Sequence, residues 1–520
     1  MTHLWTPRAI GTVARWLILA GLVVLGSWLA PPAAGQPPAA RQLIRIDAPT
    51  PEERTALVRM GLDVAGADLA GLTVWADEEQ LRAVRRAGFR YAVLPQPSAA
   101  DLTVDPTYHY YEGAVAETQR LAAQYPTLAR LLTIGTTIEG RPIPALKISR
   151  RPELDESKPA ALIFALTHGR EHLSTEMALY TMRFLLEGYG TDAGLTNLVN
   201  QREIYVVPVL NPDGDVYDIT GGSYQSWRKN RRPNPDGSFG VDLNRNFAYR
   251  WGCCGGSSDI MAQENYRGPA PFSEDETQAL RDFVTAHPNI RVSLSLHTFS
   301  ELVLWPYGYT RERVPADMRP DDQAAFAALG RAMAGLNGYH AMQSSDLYIT
   351  DGNSDDWLYG ERGIFAFTFE MYPPGSPPGF YPPGGVIERE TRRNQPAIEY
   401  LLAMADAPRK VLGREGDTTP PAVRLIAPAA GLVVHGPLHL AAVAQDNAGV
   451  TLVEFLVNGQ SMCLDDAPPY ECVWQGPLPL TDLVLSARAY DAGQNIGASP
   501  AINVRYSPQP PAYFPLFAKR

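Results

Sequence analysis

Between residues 108 and about 407, short apolar runs alternate with helix-patterned segments, and this alternation constrains the fold more than any other feature of the chain. The runs 160–166, 204–210 and 292–296 are short and apolar, as buried strands typically are. By contrast, 113–125 spaces its apolar residues for a helix. Strands interleaved with helices predict a mixed α/β sheet with helices on both faces. A block of about 300 residues suits one α/β enzyme domain, and no internal repeat divides it.

Two smaller regions flank the block. Residues 41–96 read as strand (43–46), helix (51–60), strand (71–75), helix (78–87) and strand (91–94) within a βα-β-βαβ order, which suggests a small ferredoxin-like α+β sandwich. Placed ahead of an enzyme, it is either a propeptide or a permanent domain, with 95–106 as its linker. Beyond Asp417-Thr418-Thr419-Pro420-Pro421, strand-like runs at 423–426, 438–443, 453–457 and 483–489 are separated by Gly, Pro, Asn and Asp turns. That spacing predicts an immunoglobulin-like β-sandwich. The segment 507–520 falls outside it as a tail rich in proline and aromatics.

The first 35 residues carry Arg8 and Arg15, then an apolar run over 16–30, then Ala33-Ala34-Gly35. This is the pattern of a cleaved signal peptide, with the cut near Gln36; the apolar run is shorter than the ~20 residues of a spanning helix. A secreted protein without a membrane span is expected. A net charge of −11, with no block of Lys and Arg, argues against nucleic acid or anionic membrane as partners. The four cysteines form two close pairs. Cys463 and Cys472 either staple neighbouring strands or stay free, and Cys253-Cys254 is either a vicinal disulfide or reduced.

The chemistry-bearing residues sit at the ends of the apolar runs. Thr167-His168-Gly169-Arg170-Glu171-His172 follows the run 160–166 directly. A strand ending there places His168 and Glu171 at the carboxyl edge of the sheet, where open α/β sheets bind ligands. An imidazole and a carboxylate three residues apart can reach one cation, although a lone histidine at a strand end is commonly structural. His297-Thr298-Phe299-Ser300 follows another run, and Glu370 ends the run 364–369. Between them lie Ser226-Trp227-Arg228-Lys229 and Val241-Asp242-Leu243-Asn244-Arg245-Asn246, and after His297 comes Trp305-Pro306-Tyr307-Gly308-Tyr309.

In this order the motifs resemble those of the zinc carboxypeptidases of the carboxypeptidase A/B type, and most of all the bacterial carboxypeptidase T-like branch, over residues 108–405. The resemblance implies the zinc carboxypeptidase fold, with a mixed eight-stranded sheet and helices on both faces. It divides the chain into signal peptide (1–35), propeptide module (36–100), catalytic domain (105–407), immunoglobulin-like sandwich (418–506) and tail (507–520). One zinc ion per catalytic domain is implied, held by His168, Glu171 and His297. Asp242 corresponds to the carboxylate that orients the first histidine, or else it only caps a turn. Glu370 is implied as general base and Arg228 as oxyanion stabiliser. Asn244 and Arg245 match the pair that binds the substrate's terminal carboxylate, Tyr348 the mobile tyrosine that caps the substrate, and Arg170 an arginine of a more distal subsite. Asp355 holds the position that is acidic in Lys/Arg-preferring members; facing the pocket it favours basic side chains, facing solvent it leaves a broad, dual pocket.

The expected partners are the C-termini of peptides and proteins, with the sandwich as a surface or substrate attachment module. The alternatives are the same fold acting on cell-wall peptides, and an inactive scaffold. The remaining histidines carry no site: His172 points away from His168, and His109, His287, His340, His435 and His439 are expected in loops or terminal segments.

Overall fold

The structure, a computed structural model, describes residues 41–507 apart from 157, 414–418, 447–449, 466–467, 475–480 and 492–494. The expected leader at 1–35 and the tail after Ser507 lie outside the described residues. No helix among the described residues is long and apolar enough to cross a membrane.

The N-terminal module runs β1 (Gln42–Asp47), α1 (Pro51–Arg59), β2 (Asp63–Asp68), β3 (Gly71–Ala76), α2 (Glu78–Arg86) and β4 (Tyr91–Val93). Its sheet has the order β2-β3-β1-β4, with every neighbouring pair antiparallel. Thr50 and Glu53 form a reciprocal capping box at the start of α1, and Asp77 with Gln80 does the same for α2. The module's core of Ile44, Ile46, Leu57, Val74 and Val84 continues into Leu302, Leu304, Met342 and Leu347 of the main domain. Two residues of α1 also bind the main-domain backbone. Arg54, 1% exposed, donates to the carbonyls of Leu347 (2.6 Å) and Asp346 (2.7 Å), and Thr55 Oγ1 accepts the Ile349 amide (3.1 Å).

The main domain contains α3 (Tyr111–Gln124), β5 (Ala129–Thr136), β6 (Pro142–Ile148), β7 (Ala160–Ala165), α4 (His172–Gly188), α5 (Ala193–Gln201), β8 (Glu203–Val207) and α6 (Pro212–Asp218). It continues with α7 (Asp275–Ala286), β9 (Ile290–Thr298), β10 (Leu302–Trp305), α8 (Pro320–Asn337), β11 (His340–Gln343), α9 (Ser344–Leu347), α10 (Ser354–Arg362), β12 (Phe365–Met371) and α11 (Ile387–Ala403). Eight strands form one mixed sheet in the order β11-β10-β12-β9-β7-β8-β6-β5, whose central strands β12, β9, β7 and β8 run parallel. Strand alternation sends Ala161, Ile163 and Ala165 of β7 into a core with α4, α8 and α11. Leu162 and Phe164 go into a second core with Leu280, Phe283 and Trp357 of α7 and α10. Helices on both faces explain why β7 is apolar at every position.

The C-terminal region comprises β13 (Ala422–Ala427), β14 (Val433–His435), β15 (Leu438–Gln445), β16 (Val450–Val457), β17 (Gln460–Asp465), β18 (Tyr470–Trp474), β19 (Thr481–Asp491), β20 (Ile496–Ala498) and β21 (Ile502–Ser507). Sheet β13-β15-β18 faces sheet β14-β21-β19-β16-β17 across a core of Leu438, Leu440, Phe455, Leu485 and Val504, and β20 adds to β19. The Cys463–Cys472 disulfide joins β17 to β18 and so ties the two sheets together instead of stapling neighbours in one sheet. Against the main domain, the Arg319 guanidinium lies 4.6 Å over the Tyr490 ring. One expectation about histidines is corrected here: His340 opens β11 and His435 ends β14, because short strands look like loops when their turns are dense, and His439 lies on β15, within the strand expected over 438–443.

Candidate active site

Parallel neighbours end at the same edge of a sheet, and this brings distant residues together. In register, Glu370 of β12 stands beside His297 of β9, while Ala165 at the end of β7 stands beside Leu296. Past β7 the chain turns sharply at Leu166, whose φ of 53° is in the left-handed region. That turn is held by its amide on Ser174 Oγ (3.0 Å) and by the Asn211 amide on its carbonyl (3.1 Å). Gly169 then passes so close to Gly214 that a Cβ would lie 2.5 Å from the Gly214 carbonyl carbon, so glycine is required there. Glu171 ends this turn at the threshold of α4 and makes no side-chain cap, which leaves its carboxylate free to face the histidines.

His168, Glu171 and His297 are each at most 3% exposed, and their ligand atoms lie within 4.8 Å of one another. Glu171 Oε1 is 2.8 Å from His168 Nδ1 and Oε2 is 2.8 Å from His297 Nδ1; the two Nδ1 atoms are 3.2 Å apart. Behind His168, Nε2 meets Asp242 Oδ1 at 3.2 Å. Burial opposes the ionised form of Asp242, yet Arg228 and Arg245 hold its carboxyl well below the usual range. An ionised carboxylate only accepts, so Nε2 carries the proton and Nδ1 turns its lone pair inward. Two imidazole nitrogens face one carboxylate at this spacing, an arrangement that could hold a metal ion. The donor set is all nitrogen and oxygen, which suits zinc.

The other candidates surround this point. Asp242 Oδ2 receives Arg228 Nε (3.2 Å) and Nη2 (2.9 Å), and its Oδ1 also accepts the Asn244 amide (3.0 Å), so it caps the turn and touches His168 at once. Glu370 is partly open to solvent; burial and neighbouring Glu171 push its pKa to about 8, against the pull of His297, Arg228 and Arg245. A divalent cation on the ligands would draw it back down. Asn244 Oδ1 accepts the Ser354 amide (3.0 Å). Arg245 donates Nε to Gly256 O (3.0 Å) and Nη1 to Asn244 O (2.7 Å). Arg228, Arg245 and Tyr348 line one small cavity of about 30 Å³, whose opposite wall is Val58, Leu62 and Val64 of the N-terminal module.

Arg170 and Asp355 are both buried. Arg170 pairs with Asp63 of the module (3.0 Å), donates to Val64 O (3.1 Å) and lies 4.1 Å over the Phe380 ring. Asp355 faces inward beneath β12, its Oδ2 accepting the Thr368 hydroxyl at 2.7 Å. Thr368 is two residues before Glu370, hence on the same face of the sheet. Burial raises Asp355 to about 6, with Thr368 and His297 pulling the other way.

A sequence profile of the zinc carboxypeptidases matches residues 114–397, and a bacterial Ig-domain profile matches 421–495. The chain belongs to the zinc carboxypeptidase family. A zinc carboxypeptidase of Saccharothrix mutabilis subsp. capreolus is 39% identical over 434 residues, covering 78% of this chain and 98% of that one. Human carboxypeptidase B is 34% identical over 305 residues, 57% of this chain and 70% of that one. The crystal structure of carboxypeptidase A from Helicoverpa armigera shares the fold at a TM-score of 0.61 and 24% identity, over 71% of this chain and 98% of that one. This metallocarboxypeptidase thus carries a site whose donors fit the family's zinc ion.

Sequence reasoning passed over two groups around the zinc carboxypeptidase site. His172 does point away from His168, but it sits between Asp215 (3.0 Å to Nδ1) and Asp218 (2.9 Å to Nε2). Burial opposes its charge, yet the two carboxylates raise its pKa to about 9. Asp218 also accepts the Trp227 amide (2.6 Å), next to Arg228. The second group is Asp351, with the segment around the Cys253–Cys254 disulfide. Neither has a local spacing that announces it, because their partners are brought up only by the fold.

Proposed function

We propose that this zinc carboxypeptidase is a secreted exopeptidase that hydrolyses the last peptide bond of peptides and proteins, made as a latent precursor. The observation that carries the reading is the register of Glu370 beside His297 at a strand edge that also holds Arg228 and Arg245. When bound to His168, Glu171 and His297, zinc supplies Lewis-acid polarisation and makes water more acidic. Glu370 takes a proton from the attacking water and returns it to the departing amine. Arg228 lies where a guanidinium can stabilise the oxyanion, and Asp242 keeps both Arg228 and the His168 ring in place. Arg245, helped by Asn244, holds the substrate's terminal carboxylate by charge-assisted hydrogen bonds, and Tyr348 closes over it.

Latency is supported by the apolar wall that Val58, Leu62 and Val64 place over Arg228, Arg245 and Tyr348, and by Asp63 on Arg170. A bound substrate and the docked module compete for the same groups. Secretion is supported by two disulfides, which persist in oxidising compartments. For specificity, Asp355 supports a basic or a dual basic and hydrophobic preference: its carboxylate attracts a cationic side chain, and its raised pKa makes neutralisation inexpensive. The test is hydrolysis of blocked dipeptides ending in Arg and in Phe, with and without chelator, by the full chain before and after limited proteolysis at 95–106. Metal-dependent release of the last residue, faster after the cut, is expected. Equal rates before and after would remove latency, and chelator-resistant hydrolysis would remove the mechanism.

A further inference from the structure

The loop that follows Arg245 carries an arrangement that holds one carbonyl in place. Asp351 is fully buried between Tyr348 and α10. Among the described residues, its carboxylate accepts the Cys254 amide (3.0 Å), the Gly256 amide (2.9 Å) and the Ser257 hydroxyl. The Cys253–Cys254 disulfide closes the first turn of the same segment. Gly256 therefore gives its N–H to Asp351 and its carbonyl to Arg245 Nε (3.0 Å), so a single residue links the carboxylate to the guanidinium.

Backbone packing reinforces the link. A Cβ on Gly256 would come within 2.4 Å of Thr350 Cα, and a Cβ on Gly352 within 2.5 Å of the Arg245 carbonyl oxygen. The Phe247 amide bonds Gly352 O at 2.9 Å. Segments 245–247, 254–257 and 349–352 thus lie backbone against backbone, with Asp351 at their junction. Nε and one Nη1 proton of Arg245 are spent on carbonyls, and the remaining N–H groups are those available to a ligand.

We propose that Asp351 is a positioning residue for Arg245, fixing the Gly256 carbonyl that orients the guanidinium toward the substrate's terminal carboxylate; this rests on the reading of Arg245 given above. An ionised carboxylate can accept three donors at once, whereas an amide in its place offers one oxygen and two unwanted donors. In the module-docked chain, Arg59 donates to Cys254 O (2.9 Å) and Gly255 O (3.3 Å) and steadies the loop from outside. Once the module leaves, that outside support is lost, and the bonds to Asp351 stay with the loop.

The experiment is Asp351→Asn in the full chain, assayed after limited proteolysis at 95–106 on a peptide with a free C-terminal carboxylate. KM is expected to rise about tenfold or more with kcat within about twofold, the pattern of a binding contact weakened equally in the ground and transition states. The affinity of acetohydroxamate, which needs only the metal, is expected to stay unchanged. An unchanged KM, or a parallel loss of acetohydroxamate affinity, overturns the proposal. Ser257→Ala removes one donor without disturbing the fold and is expected to raise KM about two- to threefold in the same pattern; a change in kcat alone counts against it. Wild-type enzyme that cleaves a C-terminal amide as readily as the free acid would refute the reading of Arg245, and the role of Asp351 would fall with it.

Discussion

His168, Glu171 and His297 form one buried cluster of imidazole and carboxylate; His172, the residue after Glu171, belongs to another with Asp215 and Asp218. The residue types are the same and the stoichiometry is reversed. In the first, two rings share one carboxylate, one outer nitrogen is tied to Asp242, and both Nδ1 atoms point inward. In the second, one ring lies between two carboxylates, with Nε2 hydrogen-bonded to Asp218 and Nδ1 3.0 Å from Asp215, so a proton on the ring supplies the missing positive charge. The first cluster needs a cation from outside and can use it for chemistry. The second carries its own and works as structure, tying the start of α4 to the end of α6 and, through Asp218, to the backbone at Trp227.

The largest expected effect separates them most sharply. Glu171→Gln should remove stoichiometric zinc, measured by elemental analysis, and lower kcat/KM at least about 10³-fold. His172→Ala should do the opposite: zinc stays bound, while the unfolding free energy falls by about 3–5 kcal/mol because two buried carboxylates lose their counter-charge. Loss of zinc in that variant would erase the distinction. The penalty also has a pH signature. The folded pKa of His172, about 9, lies above the unfolded value, so its stabilisation is complete below about 6.5 and fades as pH rises through 9. Denaturant titrations of wild type and variant should therefore converge on the alkaline side.

Asp242→Asn sharpens the comparison at the second nitrogen of His168. Zinc affinity is expected to weaken about 10–100-fold, measured by competition with a chelating dye. The smallest effect concerns Asp355, a buried carboxylate with neither ring nor guanidinium bonded to it. The ratio of kcat/KM for Arg over Phe substrates should grow severalfold as pH rises through about 6, where Asp355 ionises. A ratio flat with pH would show that Asp355 does not contact the departing side chain.

The main sheet was legible because β7 and β8, buried on both faces, carry nearly continuous apolar runs, and β9 keeps apolar residues at Val292, Leu294 and Leu296. His168, Glu171, His297 and Glu370 were legible because each sits at or just past the end of such a strand, whereas Arg228, Asp242, Asn244 and Arg245, between β8 and β9, were legible only as motifs. His172 and Asp351 were not, since their meaning lies in partners dozens of residues away. The burial of Arg170 was equally hidden: its ion pair is with Asp63, on a strand of the module for which the sequence offers no distinct apolar run. The state of Cys253-Cys254 was undecidable from composition, and the structure resolves it as a disulfide in the loop that cradles Arg245.

Arg54 and Thr55 of α1 bind the backbone on both sides of Tyr348, at residues 346, 347 and 349. A cut at 95–106 breaks none of these bonds. Severing the linker only exchanges an effective local concentration near the millimolar range for that of a free fragment. With the latency proposed above, scission and departure are separate events, so activity should trail the cut and the active fraction should grow on dilution, as it does for any reversibly bound inhibitor.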